Sequence, residues 1–294
     1  AAGPQLGPVN LEGRDAKRFP EYYQGLLGNN PFADVIRVAP RVCVGPIEYV
    51  GHAKVARDIA NLKKAMAAHG ADEGFMPAFS PLPQFENEYY KTADEFVAAC
   101  GEAMREEYRA ILDAGLLLQI DDPRMVSSWD SRDNMSLADY RKWMERRVES
   151  INHALRGLPQ ERIRYHTCYG VNFGPRVSDL QLADVIDVLY KINAGSISFE
   201  ASNPRHEHEW RIWQEIKLPD GKVIMPGVVG HASDIVEHPE LVAQRLARFA
   251  RLVGPENVMA GTDCGLGTRC GHAEIVWAKL AAMSEGCRLA SQEL

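Results

Sequence analysis

His166-Thr167-Cys168 sets an imidazole and a thiol two residues apart in the run Ile163-Arg-Tyr-His-Thr-Cys168. Strand side chains alternate faces with period two, so in a strand both groups point the same way. Two donors of this softness on one rigid element are half of a zinc site. Taken alone, the pair fits equally well a buried strand cysteine beside a histidine satisfied by the core. Cys264, in Thr262-Asp-Cys-Gly-Leu266, ends a later apolar segment, and Glu200 ends Ser196-Ile-Ser-Phe-Glu200. His166, Cys168, Glu200 and Cys264 are therefore the candidate ligands of a Zn²⁺.

Such donors need elements that deliver them to one place. Short apolar runs alternate with long amphipathic segments, the pattern of β/α units around a parallel sheet. The expected strands are Val42–Tyr49, Gly74–Phe79, Leu116–Ile120, Ile163–Cys168, Ser196–Glu200, Val223–Val229 and Asn257–Gly261. Thr92-Ala-Asp-Glu95 is a capping box opening a helix to about Ala114, and Ser136 caps one to about Leu155. Pro239 opens a third, ending near Leu252, and Gly115, Gly157 and Gly254 stand where these helices stop.

The fold expected is a (β/α)8 TIM-type barrel, a single domain over residues 1–294. The chain opens Ala1-Ala-Gly-Pro-Gln5 without an initiator Met, and the barrel's first β/α unit is expected to be missing from it. A doubly wound sheet is the alternative, but no G-x-G-x-x-G follows an early strand. Barrel chemistry sits at the C-terminal ends of strands. Those ends supply Asp121-Asp122-Pro123, His166 and Cys168, Glu200, His231 after Gly230, and Asp263-Cys264.

Two adjacent carboxylates at a strand end call for partners, because buried carboxylates need pairing. Asp121 and Asp122 are read either as contacts to a substrate amine or hydroxyl with acid–base work, or as salt bridges to Arg124 or Arg164. His231 is a candidate for substrate contact and proton transfer, against an ordinary loop histidine. His206-Glu-His208 is a second H-x-H pair, but its dense mixed charge suggests a solvated loop or first helical turn. Cys100 and Cys287 fall in helical patterns and read as small core residues.

Composition narrows the classes. The 294 residues are 46% hydrophobic and 25% charged, with net charge −7, which gives no electrostatic footprint for nucleic acid or anionic membrane. No run reaches the ~18 apolar residues of a membrane span, and the start shows no signal-peptide pattern. Six cysteines are too sparse for a disulfide scaffold, so reduced thiols and a cytoplasmic location are expected.

With these residues in hand, the chain resembles the cobalamin-independent methionine synthase family, specifically its catalytic C-terminal barrel. Gln119-Ile-Asp-Asp-Pro123 matches its Q-I-D-E-P, and His166-Thr-Cys-Tyr169 its H-x-C-Y. Ile197-Ser-Phe-Glu200 matches I-S-I-E, Pro226-Gly-Val-Val229 matches P-G-V-x, and Asp263-Cys-Gly-Leu-Gly-Thr-Arg269 matches D-C-G-L-K-T-R. The resemblance runs from about Asp34 to Leu294. It implies zinc on His166, Cys168, Glu200 and Cys264, a substrate contact at Asp121, and methyl transfer to homocysteine or a similar thiol.

Departures accompany the matches. Asp122 replaces a Glu, Ala201-Ser-Asn203 replaces a T-S-R-type run, and Gly261-Thr262 replaces an N-P pair. These look more like the short single-barrel branch that includes epoxyalkane:coenzyme M transferases. Zinc would deprotonate the substrate thiol, whose free pKa is about 8.5. Glu200 is the ligand most ready to loosen, and as such is also a substrate-site residue. Arg269 either holds an acidic substrate group or pairs with Asp263. The partners implied are a small-molecule thiol and an alkyl donor, a folate-like methyl carrier or an epoxide; self-association is left open. A metal-free enzyme of the uroporphyrinogen decarboxylase type is the rival, and the His/Cys/Cys set argues against it. A zinc-stabilised structural barrel is a third reading.

Overall fold

The computed structural model describes residues 13–28, 41–83, 85–170, 174–268 and 270–294. Its strands are β1 (Val42–Cys43), β2 (Phe75–Phe79), β3 (Glu86–Asn87), β4 (Leu117–Asp121), β5 (Ile163–His166), β6 (Ser196–Phe199), β7 (Val223–Val229) and β8 (Gly261–Thr262). Six of them form one curled parallel sheet in the order β2-β4-β5-β6-β7-β8, with helices packed on it. Parallel neighbours require crossovers, and the long helices Ala93–Asp113 and Leu137–Leu155 supply two of these.

The helix signals act as the sequence indicates. Thr92 Oγ1 accepts from the Glu95 N–H at 3.1 Å, and Ser136 Oγ from the Asp139 N–H at 3.1 Å. Pro239 begins the helix Pro239–Val253. Gly115, Gly157 and Gly254 all take positive φ, the conformation that releases the chain from a helix.

Two strands differ from expectation. Only Val42–Cys43 of the 42–49 run is strand, and it pairs with Glu86–Asn87, outside the main sheet. Gly45-Pro46 explains this, because proline has no N–H for a ladder. The last strand is Gly261–Thr262 rather than Asn257–Gly261, since Pro255–Asn257 forms a 3₁₀ turn and delays it. Val258 contributes an isolated bridge to Ile224.

The core lies between sheet and helices. Leu118, Ile120, Ile163, Tyr165, Ile197 and Phe199 join Tyr108, Ile111, Tyr140, Met144 and Ile151 in one apolar cluster. β6 and β7 are buried along almost their full length, as central parallel strands are. The opposite face carries the polar residues. Parallel register sets Asp121 beside His166 and His166 beside Ser198, so three strand ends deliver side chains to one surface. Among the described residues, no helix is long and apolar enough to cross a membrane.

Candidate metal centre

His166 ends β5, two residues short of the expected strand end, and Cys168 lies in the loop that follows, brought to His166 by its path there. Cys264 arrives from the loop after β8, where the Asp263 N–H donates to Val229 O at 2.9 Å and fixes the chain's exit. One donor atom from each of His166, Cys168 and Cys264 lies within 4.8 Å of the others. The two sulfurs are 3.6 Å apart. A tetrahedral zinc with Zn–S near 2.3 Å separates its thiolates by about 3.8 Å, so the pair is already at chelating distance.

The imidazole is oriented from behind. Its Nδ1 is 3.2 Å from Ser198 Oγ, which leaves Nε2 to face a metal. Zinc-binding histidines generally have such a support on the second ring nitrogen. The donor set and its spacing fit the metal that the sequence calls for.

The thiols share charge. Cys264 is pulled down to about 4 by the hydrogen bond with Cys168, against burial, with His166 and His231 adding to the pull. Cys168 is pushed well above the usual thiol range by that same hydrogen bond and by burial. Burial alone would lower His166, but its hydrogen bond to Cys264 and the charge of Asp121 leave it raised. The trio thus sets a thiolate beside an imidazole whose protonated form its neighbours favour, a set of groups that exchange protons for a cation.

Glu200 acts electrostatically on His166 and Cys168 without joining their 4.8 Å group. Its carboxylate groups instead with His231 and Asp263, all three buried. Oε1 accepts from the Tyr169 N–H at 2.8 Å; Oε2 takes Asn203 Nδ2 at 2.8 Å and the Arg176 guanidinium at 3.0 Å. Burial pushes Glu200 up to about 7 against the pull of Arg176, with the Asp263 charge adding to the rise.

Asp263 accepts from the N–H groups of Ala201 and Ser202 at 2.8 and 2.9 Å and from Ser202 Oγ at 2.7 Å. It ties the loop after β6 to the loop after β8. Gly227 makes room for it: a Cβ there would meet Asp263 Oδ1 at 2.1 Å. His231 follows Gly230, whose N–H donates to Glu237 Oε1 at 2.7 Å. Glu237 is itself paired at 3.0 Å with Lys279, which is wholly buried.

The two aspartates after β4 part company. Asp121 faces the trio side, accepts from Gln119 Nε2 at 2.9 Å, and is raised by burial against the pull of His166. Asp122 is 2% exposed and bonded to Ser80 Oγ at 3.2 Å and Arg147 at 3.4 Å. Its ion-pair partner is thus Arg147 from a neighbouring helix, not Arg124 or Arg164. Arg164 stacks instead on the Phe75 ring, 3.9 Å from its centroid. Arg269 lies outside the described residues.

The H-x-H pair does open a helical turn, His206 preceding the 3₁₀ helix Glu207–Gln214, but His206 is not solvated. The ring is fully buried, lies between Asp179 and Glu209 at 3.1 and 2.9 Å, and stacks on Tyr169 at 3.9 Å. His208 is exposed, so the H-x-H pair does not share a face. Cys100 is buried with Cys43 and Phe96, as its helical pattern indicates.

Ser198, Arg176 and Asp179 escape a reading of strand ends. Ser198 had a signal, since period two places Ser196, Ser198 and Glu200 on one face. Arg176 and Asp179 had only R-x-x-D spacing in the loop after β5.

The sequence profile described as "Cobalamin-independent synthase, Catalytic domain" matches residues 86–288. A methionine synthase of Thermococcus kodakarensis is 27% identical over 209 residues, covering 71% of this chain and 54% of that protein. One from Saccharolobus islandicus is 26% identical over 212 residues, with the same coverage of 71% and 54%. The chain spans about half the length of these curated relatives. Among solved structures, a B12-independent methionine synthase from Shewanella sp. W3-18-1, in complex with selenomethionine, superposes with TM-score 0.67 at 22% identity. That superposition covers 86% of this chain and 70% of the Shewanella chain. A putative vitamin-B12 independent methionine synthase from Listeria monocytogenes gives TM-score 0.60 at 20% identity, covering 86% and 73%. At those identities the structural likeness speaks for the fold.

Proposed function

The chain belongs to the family of cobalamin-independent synthase catalytic domains, and from that premise we propose that it transfers an alkyl group to a small thiol at a zinc centre. The observation that carries this reading is the Cys168–Cys264 sulfur pair, 3.6 Å apart beside His166 at the C-terminal ends of parallel strands. Zinc there would act as a Lewis acid, removing the proton from a substrate thiol and presenting it as a nucleophile. His166, Cys168 and Cys264 would hold it, with Glu200 as the fourth protein ligand.

The chain's own groups do the rest. Asp121, on the open side of β4, accepts the ammonium of an amino-acid thiol. Arg269, after the Cys264 loop, holds the acidic end of the substrate. His231, next to Gly230, whose N–H is held by the Glu237–Lys279 pair, delivers a proton to the departing atom. Asp122 fixes the mouth through Ser80 and Arg147.

Homocysteine as acceptor and a methylated folate-type carrier as donor follow from the methionine synthase relatives. An epoxide-opening reaction with a sulfonated thiol is the second reading. What favours it is where the family departures fall: Asn203, in place of the Arg of the T-S-R-type run, bonds directly to Glu200, and Ala201, in place of its Thr, donates its N–H to Asp263, so these substitutions touch the site.

Zinc-edge absorption with and without each thiol tests both. A new Zn–S contact with homocysteine supports methyl transfer, and one with coenzyme M supports the second reading. A folded protein that takes up no zinc from a buffered supply would sink the proposal.

A further inference from the structure

Arg176 sits in the loop after β5, 8% exposed, with a guanidinium that divides itself between two carboxylates. Nη1 lies 3.0 Å from Glu200 Oε2, and Nε donates to Asp179 Oδ2 at 2.7 Å. Its φ of 56° lies in the left-handed region that non-glycine residues seldom occupy. Neighbours impose that conformation. Asp15 accepts from the Ser178 N–H at 2.9 Å, and Arg205 donates to Val177 O at 2.6 Å. Asp179 is held in turn by His206 at 3.1 Å, and the His206–Tyr169 stack runs back to the residue after Cys168. Strain maintained from several sides usually marks a position that matters to a site.

Neutralising a buried carboxylate would explain an arginine here in general terms. Its placement says more. Glu200 lies on the strand face of the candidate ligands, yet its carboxylate groups with His231 and Asp263 rather than with the trio. Three donors occupy it: the Tyr169 N–H on Oε1, Asn203 and Arg176 on Oε2. Two of these are neutral. Arg176 alone brings positive charge, and a carboxylate cannot serve a guanidinium and a zinc ion at full strength through the same electron pairs.

We propose that Arg176 is a positioning residue that competes with the metal for Glu200, with Asp179 setting how much of its charge Glu200 receives. The proposal rests on the metal reading above. His166, Cys168 and Cys264 are then the standing ligands. Glu200 is a conditional one, drawn toward the metal only as far as Arg176 releases it.

The test is the metal affinity and cobalt spectrum of the full chain, read without turnover. Arg176→Gln frees Glu200, and zinc affinity in competition with a chromophoric chelator should rise about tenfold, the scale on which groups behind a ligand act. In Asp179→Asn the guanidinium charge falls undivided on Glu200, so affinity should fall severalfold. Opposite signs distinguish competition from loop support, since damage to the loop lowers affinity in both variants. Glu200→Gln should lower affinity at least as far as Asp179→Asn does and cancel the gain in the Arg176→Gln background. Cobalt ligand-field bands should shift in Arg176→Gln and keep the parental form in Arg176→Lys.

Equal or lower affinity in a folded Arg176→Gln protein, with an unchanged cobalt spectrum, would overturn the proposal. If that variant does not fold, Asp179→Asn decides alone, and an unchanged or raised affinity overturns it. A parent chain that binds neither zinc nor cobalt would overturn the metal reading itself, a different result from bound metal indifferent to Arg176.

Discussion

Two triads, one wholly buried and one with Cys264 half-buried, lie at these strand ends and differ in how their lone pairs are used. In His166, Cys168 and Cys264 the sulfurs face each other and His166, and one imidazole nitrogen rests on Ser198. In Glu200, His231 and Asp263, by contrast, Asp263 takes two backbone N–H groups and a hydroxyl, and Glu200 an amide, a backbone N–H and a guanidinium. Both groups contain metal-type donors within ligand reach of one another. Donor type and clustering therefore do not suffice. A donor is available to a cation when its bonds can be exchanged for the metal, and in the sulfur triad those bonds run mainly among the three side chains themselves.

That contrast can be broken at either end. The largest effect is expected from Cys264→Ser. Zinc affinity should fall by more than about a hundredfold, beyond what an outer support is worth, while far-ultraviolet circular dichroism stays unchanged. Retained affinity would show that the sulfur pair is not the chelating unit. Next is Asp263→Asn in metal-free protein. The amide can keep its oxygen on the Ala201 and Ser202 N–H groups, but it loses the charge and turns an NH2 toward Ser202 Oγ and Asn203 Nδ2, so chemical denaturation should register a loss of about 1–3 kcal/mol. No loss would mean that the saturated carboxylate is not structural and the two triads are less different than their bonding suggests.

Ser198→Ala is a finer probe, because it leaves all the proposed ligands in place. Losing the oxygen behind Nδ1 should weaken zinc binding about tenfold without changing the number of sulfur ligands seen at the zinc edge. The smallest effect is a pH dependence in metal-free protein. Cys264 at about 4 is a thiolate across the neutral range, so its alkylation by iodoacetamide should stay nearly flat down to the region of pH 5. An ordinary thiol of pKa about 8.5 would slow tenfold per pH unit over that range. The linked stability has the same sign: a depressed folded pKa contributes above the unfolded value and is lost as pH falls through about 4. Peptide mapping that found Cys168 the faster thiol would reverse the assignment.

Legibility in the sequence followed the range of the interactions. Thr92, Ser136 and the stop glycines could be read because a cap is satisfied by residues three or four positions away. Parallel strands announced themselves as short apolar runs, but the 42–49 run was read as one of them although Pro46 interrupts it. His206 was misread because its charged neighbours suggested solvent, whereas Asp179 and Glu209 fold over it and satisfy it internally. Asp122 found Arg147 because the helix Leu137–Leu155 passes behind the sheet, beyond any local spacing rule.

The sequence by itself determined that an imidazole and a thiol stand two residues apart at one strand end, and that Asp121, Glu200 and Cys264 stand at others. Period-two alternation and the β/α rhythm are local, and local patterns survive folding. Only the tertiary structure decided that Cys264 closes on Cys168 while Glu200 is taken by Arg176. Those choices depend on the register between strands and on the paths of the loops after β5, β6 and β8. Both are fixed by packing between distant segments, where no residue spacing records which donor will be left free.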